Sequence, residues 1–302
     1  MKRILYIFLL NIVTIGAAAQ SNIRLNNYWE NLYSINPAAI DNQYRVLVSL
    51  GDRKQWIGFP GAPNTMYASA TTYIEKFNTQ LGVRLFRDNI GYTSTTHVAL
   101  SYAYAVKLDD IWTLNMGLAG NLHSLSYDVD KINTGTIPET KVYQILQNTN
   151  DYSSEVGAEL VSTQWRFGAS GQNLFSIFSQ EKAKQYPYTT FLYGKYRTRN
   201  GTLLDTGAGI SGIQAGNLYQ MEVNATGFLK NYDQEDLMHF GIFYRTMREM
   251  GAIFGINLGS SLYLSYSCDF NISGISRNSA GTHELILVLK LNKIINCRCN
   301  QY

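Results

Sequence analysis

Residues 97–108, HVALSYAYAVKL, alternate without a break. Val98, Leu100, Tyr102, Tyr104, Val106 and Leu108 fall on one face, and His97, Ala99, Ser101, Ala103, Ala105 and Lys107 on the other. A period of two marks an extended strand, and this one outruns the ~5–6 residues of a typical strand. The continuous face is apolar and aromatic, while small and polar side chains point the other way. That distribution suits lipid outside and a polar interior.

The pattern returns late in the chain. Tyr219, Met221, Val223 and Ala225 oppose Gln220, Glu222, Asn224 and Thr226; Met238, Phe240, Ile242 and Tyr244 oppose His239, Gly241, Phe243 and Arg245. Leu262, Leu264, Tyr266, Cys268 and Phe270 oppose Tyr263, Ser265, Ser267 and Asp269, and in 281–292 the leucines 285, 287, 289 and 291 oppose Glu284, Ile286, Val288 and Lys290. Segments at 43–56, 63–75, 79–87, 92–107, 112–127, 155–161 and 164–171, then 187–198, 203–213, 216–229, 236–247, 250–258, 260–270 and 281–292, give about fourteen strands. The alternation is least regular over 155–171. The long connections 128–154, 172–186 and 271–280 all follow odd-numbered strands, and the stretch between the first two strands lies at the same end. Short turns at one end and long loops at the other predict an all-β, up-and-down, antiparallel transmembrane barrel over residues 43–292. Only 16% of residues are charged, against 45% hydrophobic and 22 tyrosines; soluble domains average roughly 25% charged.

Lys2 and Arg3 precede the apolar run Ile4–Leu10, and Ala17-Ala18-Ala19 offers a small-residue cleavage site. Residues 1–19 therefore read as a signal peptide, followed by a periplasmic segment 20–42 and, after the barrel, a periplasmic tail 293–302. No apolar run of ~20 residues follows, so helices do not span the membrane, whereas a closed barrel satisfies its own backbone there. With Lys2 and Arg3 set aside, 23 basic residues face 22 acidic ones, and no basic surplus points to nucleic acid. Tyr28, Trp29, Trp56, Trp112, Trp165 and Tyr302 are expected in the interfacial aromatic girdles. Cys268, Cys297 and Cys299 are too few for a disulfide framework, and Cys297-Arg298-Cys299 alone lacks the four ligands of a tetrahedral metal site.

Catalysis finds little support. His97 shares a strand with Ser94 and Ser101, a start for a lipid hydrolase, but no Gly-x-Ser-x-Gly elbow accompanies it, and both His97 and Ser101 point inward. Asp128, Asp130 and Asn133 are a fragment of a calcium loop without the full pattern. No catalytic residue, cofactor or metal is expected. The inward faces carry many Gly, Ala, Ser and apolar residues with few charges, which predicts a modest, occluded barrel more than an open channel.

Four stretches resemble the PorP/SprF family of Bacteroidetes: YSINPAAI (33–40) with Asn36 and Pro37; DRKQWIGFPGAPNT (52–65) with Arg53, Gln55, Trp56, Gly58, Phe59, Pro60, Gly61, Pro63 and Thr65; RDNIGYTSTTHVALSYAYAVKL (87–108); and the closing pair YLSYSCDFNISGISRNSAGTHELILVLKL (263–291) with His283 and Glu284. The 52–65 stretch is the most specific. Thr282 replaces an expected Ser, and Ile40-Asp41 follows the Asn-Pro-Ala element where a small residue and Gly are usual; 128–200 carries little family signal. The resemblance implies a non-enzymatic component of the type IX secretion system in the cell outer membrane, bounded by its lipid. It implies partnership with a periplasmic ring lipoprotein (GldK/PorK-like) and associated secretion proteins. It further implies support for export of large or gliding adhesins, with the secreted adhesin or its C-terminal domain and the separate translocon as further contacts. The alternative from the residues alone is an outer-membrane solute porin.

Overall fold

A computed structural model of the protein describes residues 25–128, 148–179, 186–199, 202–246, 249–272 and 279–294. The expected signal peptide, Cys297, Cys299, Tyr302, Asp130 and Asn133 lie outside the described residues. The first seven strands are β1 (Tyr44–Lys54), β2 (Asn64–Ile74), β3 (Thr79–Ile90), β4 (Thr93–Lys107), β5 (Thr113–Tyr127), β6 (Thr149–Val161) and β7 (Trp165–Gln172). The second seven are β8 (Thr189–Arg197), β9 (Leu204–Ala215), β10 (Leu218–Lys230), β11 (Asp236–Arg245), β12 (Glu249–Leu258), β13 (Leu262–Asn271) and β14 (Thr282–Lys293). Each pairs antiparallel with its sequence neighbours, and β14 returns to β1, from Tyr44↔Lys293 to Lys54↔His283, closing a fourteen-stranded barrel. Closure leaves no unpaired sheet edge, the condition for crossing hydrocarbon with strands.

The expected strands match in number, order and pairing. The largest boundary difference is at β6, which starts at Thr149 and not at 155. Its first residues, Thr149 to Ser154, are polar apart from Tyr152, so apolar alternation does not mark them, yet they pair with β5 from Leu125↔Thr149 to Gly120↔Ser154. The strand ends Lys54, Tyr127, Gln172 and Asn271, from which the longest connections leave, lie at one end, here the long-loop end; the start of β1 and the end of β14 lie at the opposite, terminal end.

The faces are as the alternation predicts. Leu100 and Ile242 are each 66% exposed on the outer wall, with Tyr102, Met221, Phe240 and Leu285 also outward. Inward positions, however, correct the expectation of few luminal charges: Arg84, Glu155, Glu159, Glu222, Arg245 and Glu284 are all buried. The strands contribute a few inward charges at most, and β2 and β5 none, too few to stand out in any one segment, but fourteen strands converge on one lumen. A second correction concerns residues 20–42, whose described part does not hang below the barrel. Residues 25–42 run through the lumen, and Tyr28 and Trp29, expected in the girdle, are buried there. Trp165 is exposed at its strand end, consistent with a girdle position.

Candidate functional site

An irregular chain inside a barrel exposes backbone groups that no sheet can serve, and every one must find a partner. Here the wall's side chains supply them. Lys195 donates to the carbonyl of Trp29 at 3.1 Å, Arg84 to Tyr33 at 2.7 Å, Ser170 to Ile35 at 2.7 Å, Gln80 to Ala39 at 3.0 Å and Arg166 to Ile40 at 2.9 Å. The amides of Asn26 and Asn27 donate to Glu284 at 2.6 and 2.9 Å, and that of Asp41 to Gln80 at 3.0 Å. These partners sit on β3, β7, β8 and β14, around the circumference. Residues 25–42 are thus a plug.

The plug runs the length of the lumen. Leu25 packs with Tyr67, Phe86 and Ile286, all close to the long-loop ends of their strands. Tyr28, Trp29, Leu32, Tyr33 and Ile35 cluster with Phe191, Tyr193 and Ile213 in the middle. Ile40 joins Tyr73 and Ala103 near the terminal end. A short 3-10 turn, Leu32–Ser34, tightens the middle of the path.

Asn36 and Pro37 occupy a niche in the wall. The Asn36 amide donates to the hydroxyl of Tyr193 at 3.1 Å and to the carbonyl of Ala158 at 3.2 Å, while its oxygen accepts the Ala38 N–H at 2.9 Å. Pro37 has no N–H to satisfy. The wall opposite is glycine: a Cβ on Gly117 would lie 2.5 Å from the Ala38 nitrogen, and one on Gly157 would collide with the Asn36 side chain. The backbone of the Asn-Pro-Ala element therefore lies closer to the sheet than any side chain permits.

Ion pairs brace plug and wall together. Arg84 on β3 reaches Glu155 on β6 at 2.5 Å, and Asn121 donates to the same carboxylate at 2.9 Å. Arg166 meets Glu159 at 2.9 Å, and Glu159 also accepts the Tyr193 hydroxyl at 2.6 Å. Arg245 meets Glu222 at 2.5 Å; Glu222 accepts from Trp29 and Tyr28, and Arg245 donates to Asn26 at 3.0 Å. Such buried pairs are costly to break singly, about 3–5 kcal/mol each. On the plug itself, burial alone would raise the Glu30 carboxyl, but Lys195 at 3.7 Å, with His239, Arg197 and Lys290, outweighs it and holds the pKa at about 2.

The remaining motif residues lie at the long-loop end. Arg53 is 3.8 Å from Glu284 and donates to Gln55 at 2.9 Å, and Thr65 donates to Asp88 at 2.6 Å. The loop 55–63 is clasped by its neighbours: Gln55 N–H to Pro63, Ile57 N–H to Gly281, Ala280 N–H to Ile57, and Gly91 N–H to Gly61, all at 2.8–2.9 Å. Trp56 adopts φ 50, Gly58 φ 108 and Gly61 φ 72. Phe59 and Pro60 project outward, exposed. His283 faces away from Glu284 and pairs with the Tyr266 hydroxyl at 2.5 Å. The structure thus brings Asn36, Pro37, Arg53 and Glu284 to the plug and its seam, and leaves Phe59 and Pro60 apart from it.

No hydrolytic pair forms from His97 and Ser101. The Ser101 hydroxyl shares a hydrogen bond with Tyr33 at 2.7 Å, and His97 stacks on His123 with ring centroids 4.4 Å apart. Among the described residues no three His, Cys, Asp or Glu side chains gather as a metal site. Cys268 is a free thiol. Sequence reasoning missed Arg84, Glu155, Glu159, Arg166 and Arg245. The available signal was a charged residue at an inward position of an alternating strand.

Over residues 17–289 the chain matches the family described as type IX secretion system membrane protein PorP/SprF. No curated protein matches it. Among solved structures, the toluene transporter TbuX of Ralstonia pickettii is 11% identical with a TM-score of 0.51, over 86% of this chain and 93% of that one. A CymD monoaromatic hydrocarbon channel is 11% identical with a TM-score of 0.47, over 92% and 95% of the two chains. A KdgM porin is 8% identical with a TM-score of 0.41, over 82% of this chain and 99% of that one. At these identities the likeness to TbuX speaks for the barrel fold alone.

Proposed function

The chain belongs to the PorP/SprF family of type IX secretion system membrane proteins, and from that premise we propose that it serves as a plugged, non-enzymatic scaffold of that system in the outer membrane. The observation that carries this reading is the plug. Five of its carbonyls and three of its amides are held by wall side chains, so the lumen is committed to structure and not to solute passage. Function then resides on the two ends of the barrel. The terminal end faces the periplasm and docks the secretion ring lipoprotein and its associates. The clasped 55–63 loop faces outward, where the exposed Phe59 and Pro60 meet exported adhesins or the translocon.

Deleting the gene tests the assignment through the outer-membrane and secreted protein profiles; loss of large proteins from the surface, with their accumulation inside the cell, is expected, and unchanged profiles overturn it. Planar-bilayer recording of the purified protein tests the plug against the porin alternative. The wild-type barrel is expected to be silent, and steady conductance would return the solute-porin reading.

A further inference from the structure

Beneath the plug, at the terminal end, the lumen keeps a cavity of about 220 Å³. It lies between plug residues Trp29–Tyr33 and Ala39–Asp41 and the terminal ends of the wall strands, including Tyr44 at the start of β1 and the turn Ser162–Gln164. Its volume is below the ~300–1,000 Å³ of pockets that enclose whole small-molecule ligands. It fits one side chain of a larger molecule better than a free solute.

Its chemistry is cationic and aromatic. Five lining residues are Lys or Arg against three carboxylates, Glu30, Asp41 and Asp236. Two of those carboxylates are already engaged, Glu30 by Lys195 at 3.7 Å and Asp236 by Arg197 at 2.5 Å. Among the described residues, Arg199 and Lys290 have no carboxylate within ion-pair distance. The Arg199 Nε is buried without a hydrogen-bond partner. The Lys290 ammonium is steadied by Asn257 at 2.7 Å and stands 5.6 and 5.1 Å from the ring centres of Tyr44 and Tyr263. Its one neutral acceptor leaves donors of an –NH₃⁺ group unused. A buried guanidinium N–H without a partner is costly unless an acceptor completes it, and the preorganised Lys290 lines the same cavity.

The geometry points to this cavity as a receptor for an acidic side chain, Glu or Asp, of a polypeptide entering from the terminal end, with Arg199 and Lys290 as its counter-charges and Tyr44 and Tyr263 as its apolar walls. The site stands on the lumen's own groups. Only the compartment the polypeptide comes from rests on the orientation proposed above, and the test below does not depend on it.

The purified full-length barrel in detergent is titrated with the capped tripeptide acetyl-Phe-Glu-Phe-amide, its Gln analogue and inorganic phosphate. Saturable binding of the Glu peptide is expected, weakened about tenfold or more in Lys290→Met and in Arg199→Gln, the loss of one charge-assisted contact. Lys293→Met, whose partner Glu235 lies at the rim, is expected to bind as wild type. Heat-modifiable gel mobility shows that each variant is folded. Absence of saturable binding by the wild type overturns the proposal, as does equal binding of the Gln analogue or unchanged affinity in both cavity variants. Displacement of the peptide by equimolar phosphate overturns the polypeptide assignment in favour of a free-anion site.

Discussion

The carboxylate of Glu284, on the last strand, accepts the backbone N–H of Asn26 at 2.6 Å, across 258 residues of sequence. The same carboxylate takes Asn27 at 2.9 Å and faces Arg53 on the first strand at 3.8 Å. One side chain thus ties the start of the plug to the seam where the barrel closes. Glu284→Ala leaves two amides without their acceptor and a buried guanidinium without its counter-charge, a loss on the order of 3–5 kcal/mol. The folded fraction on unheated gels is expected to fall sharply, whereas Glu235→Ala, in the exposed pair with Lys293, costs ~1 kcal/mol at most. Equal folding of the two variants would remove the seam role.

The niche for Asn36 and Pro37 predicts that bulk on the wall displaces the plug. Gly117→Val drives a side chain into the Ala38 backbone, while Gly120, with nothing within 4 Å of its Cβ position, accepts Val in open space. Conductance in planar bilayers, or protease cleavage within residues 25–42, is expected for the first variant and not for the second.

Arg84 and Glu155 are a pair whose parts cost more than the whole. Arg84→Met or Glu155→Leu alone strands a buried charge, at about 3–5 kcal/mol. The double variant removes both charges and is expected to be less destabilised than the sum of the singles. A urea-unfolding cycle on reconstituted protein measures the coupling, and additive singles would show the pair to be inert.

Acid is expected to loosen the plug within a defined window. The Glu30 carboxyl lies at about 2 in the folded state, below its ordinary 4.5, so its pairing with Lys195 contributes fully above pH 4.5. That contribution is lost as pH falls from 4.5 towards 2. Proteolysis of the plug should therefore rise over this interval in the wild type and change less in Glu30→Gln, which has no charge to lose.

The clasped loop separates folding from contact. Gly61 holds φ 72 with its Cβ position 3.2 Å from the Gly91 Cα, so Gly61→Val strains the backbone and is expected to reduce assembled barrel. Phe59→Ala removes an exposed ring and is expected to leave folding within ~0.5 kcal/mol. Lower export of surface proteins at normal barrel levels would then make Phe59 a contact residue; normal export would make the ring dispensable.

Much of this architecture was readable before any coordinates. A side-chain period of two assigns each residue to a face, so Leu100 and Glu222 declared outside and inside from their neighbours alone. The odd-numbered position of the long connections ordered the two ends. Thr149–Ser154 escaped because polar residues pair in a sheet without alternating. Glu284 and Asn36 stood out as motif residues, but nothing local said what they touch.

Alternation, charge poverty and turn spacing determined a closed fourteen-stranded barrel, because in a membrane the face of a strand is a local property. What fills the barrel was decided only in three dimensions. The plug has no period, since it forms neither strand nor long helix, and its hydrogen bonds go to side chains on distant strands. Glu222 and Arg245 meet as cross-strand partners on β10 and β11, but the curvature of the closed wall is what brings Arg84 on β3 to Glu155 on β6, and the threaded plug is what brings Asn26 to Glu284.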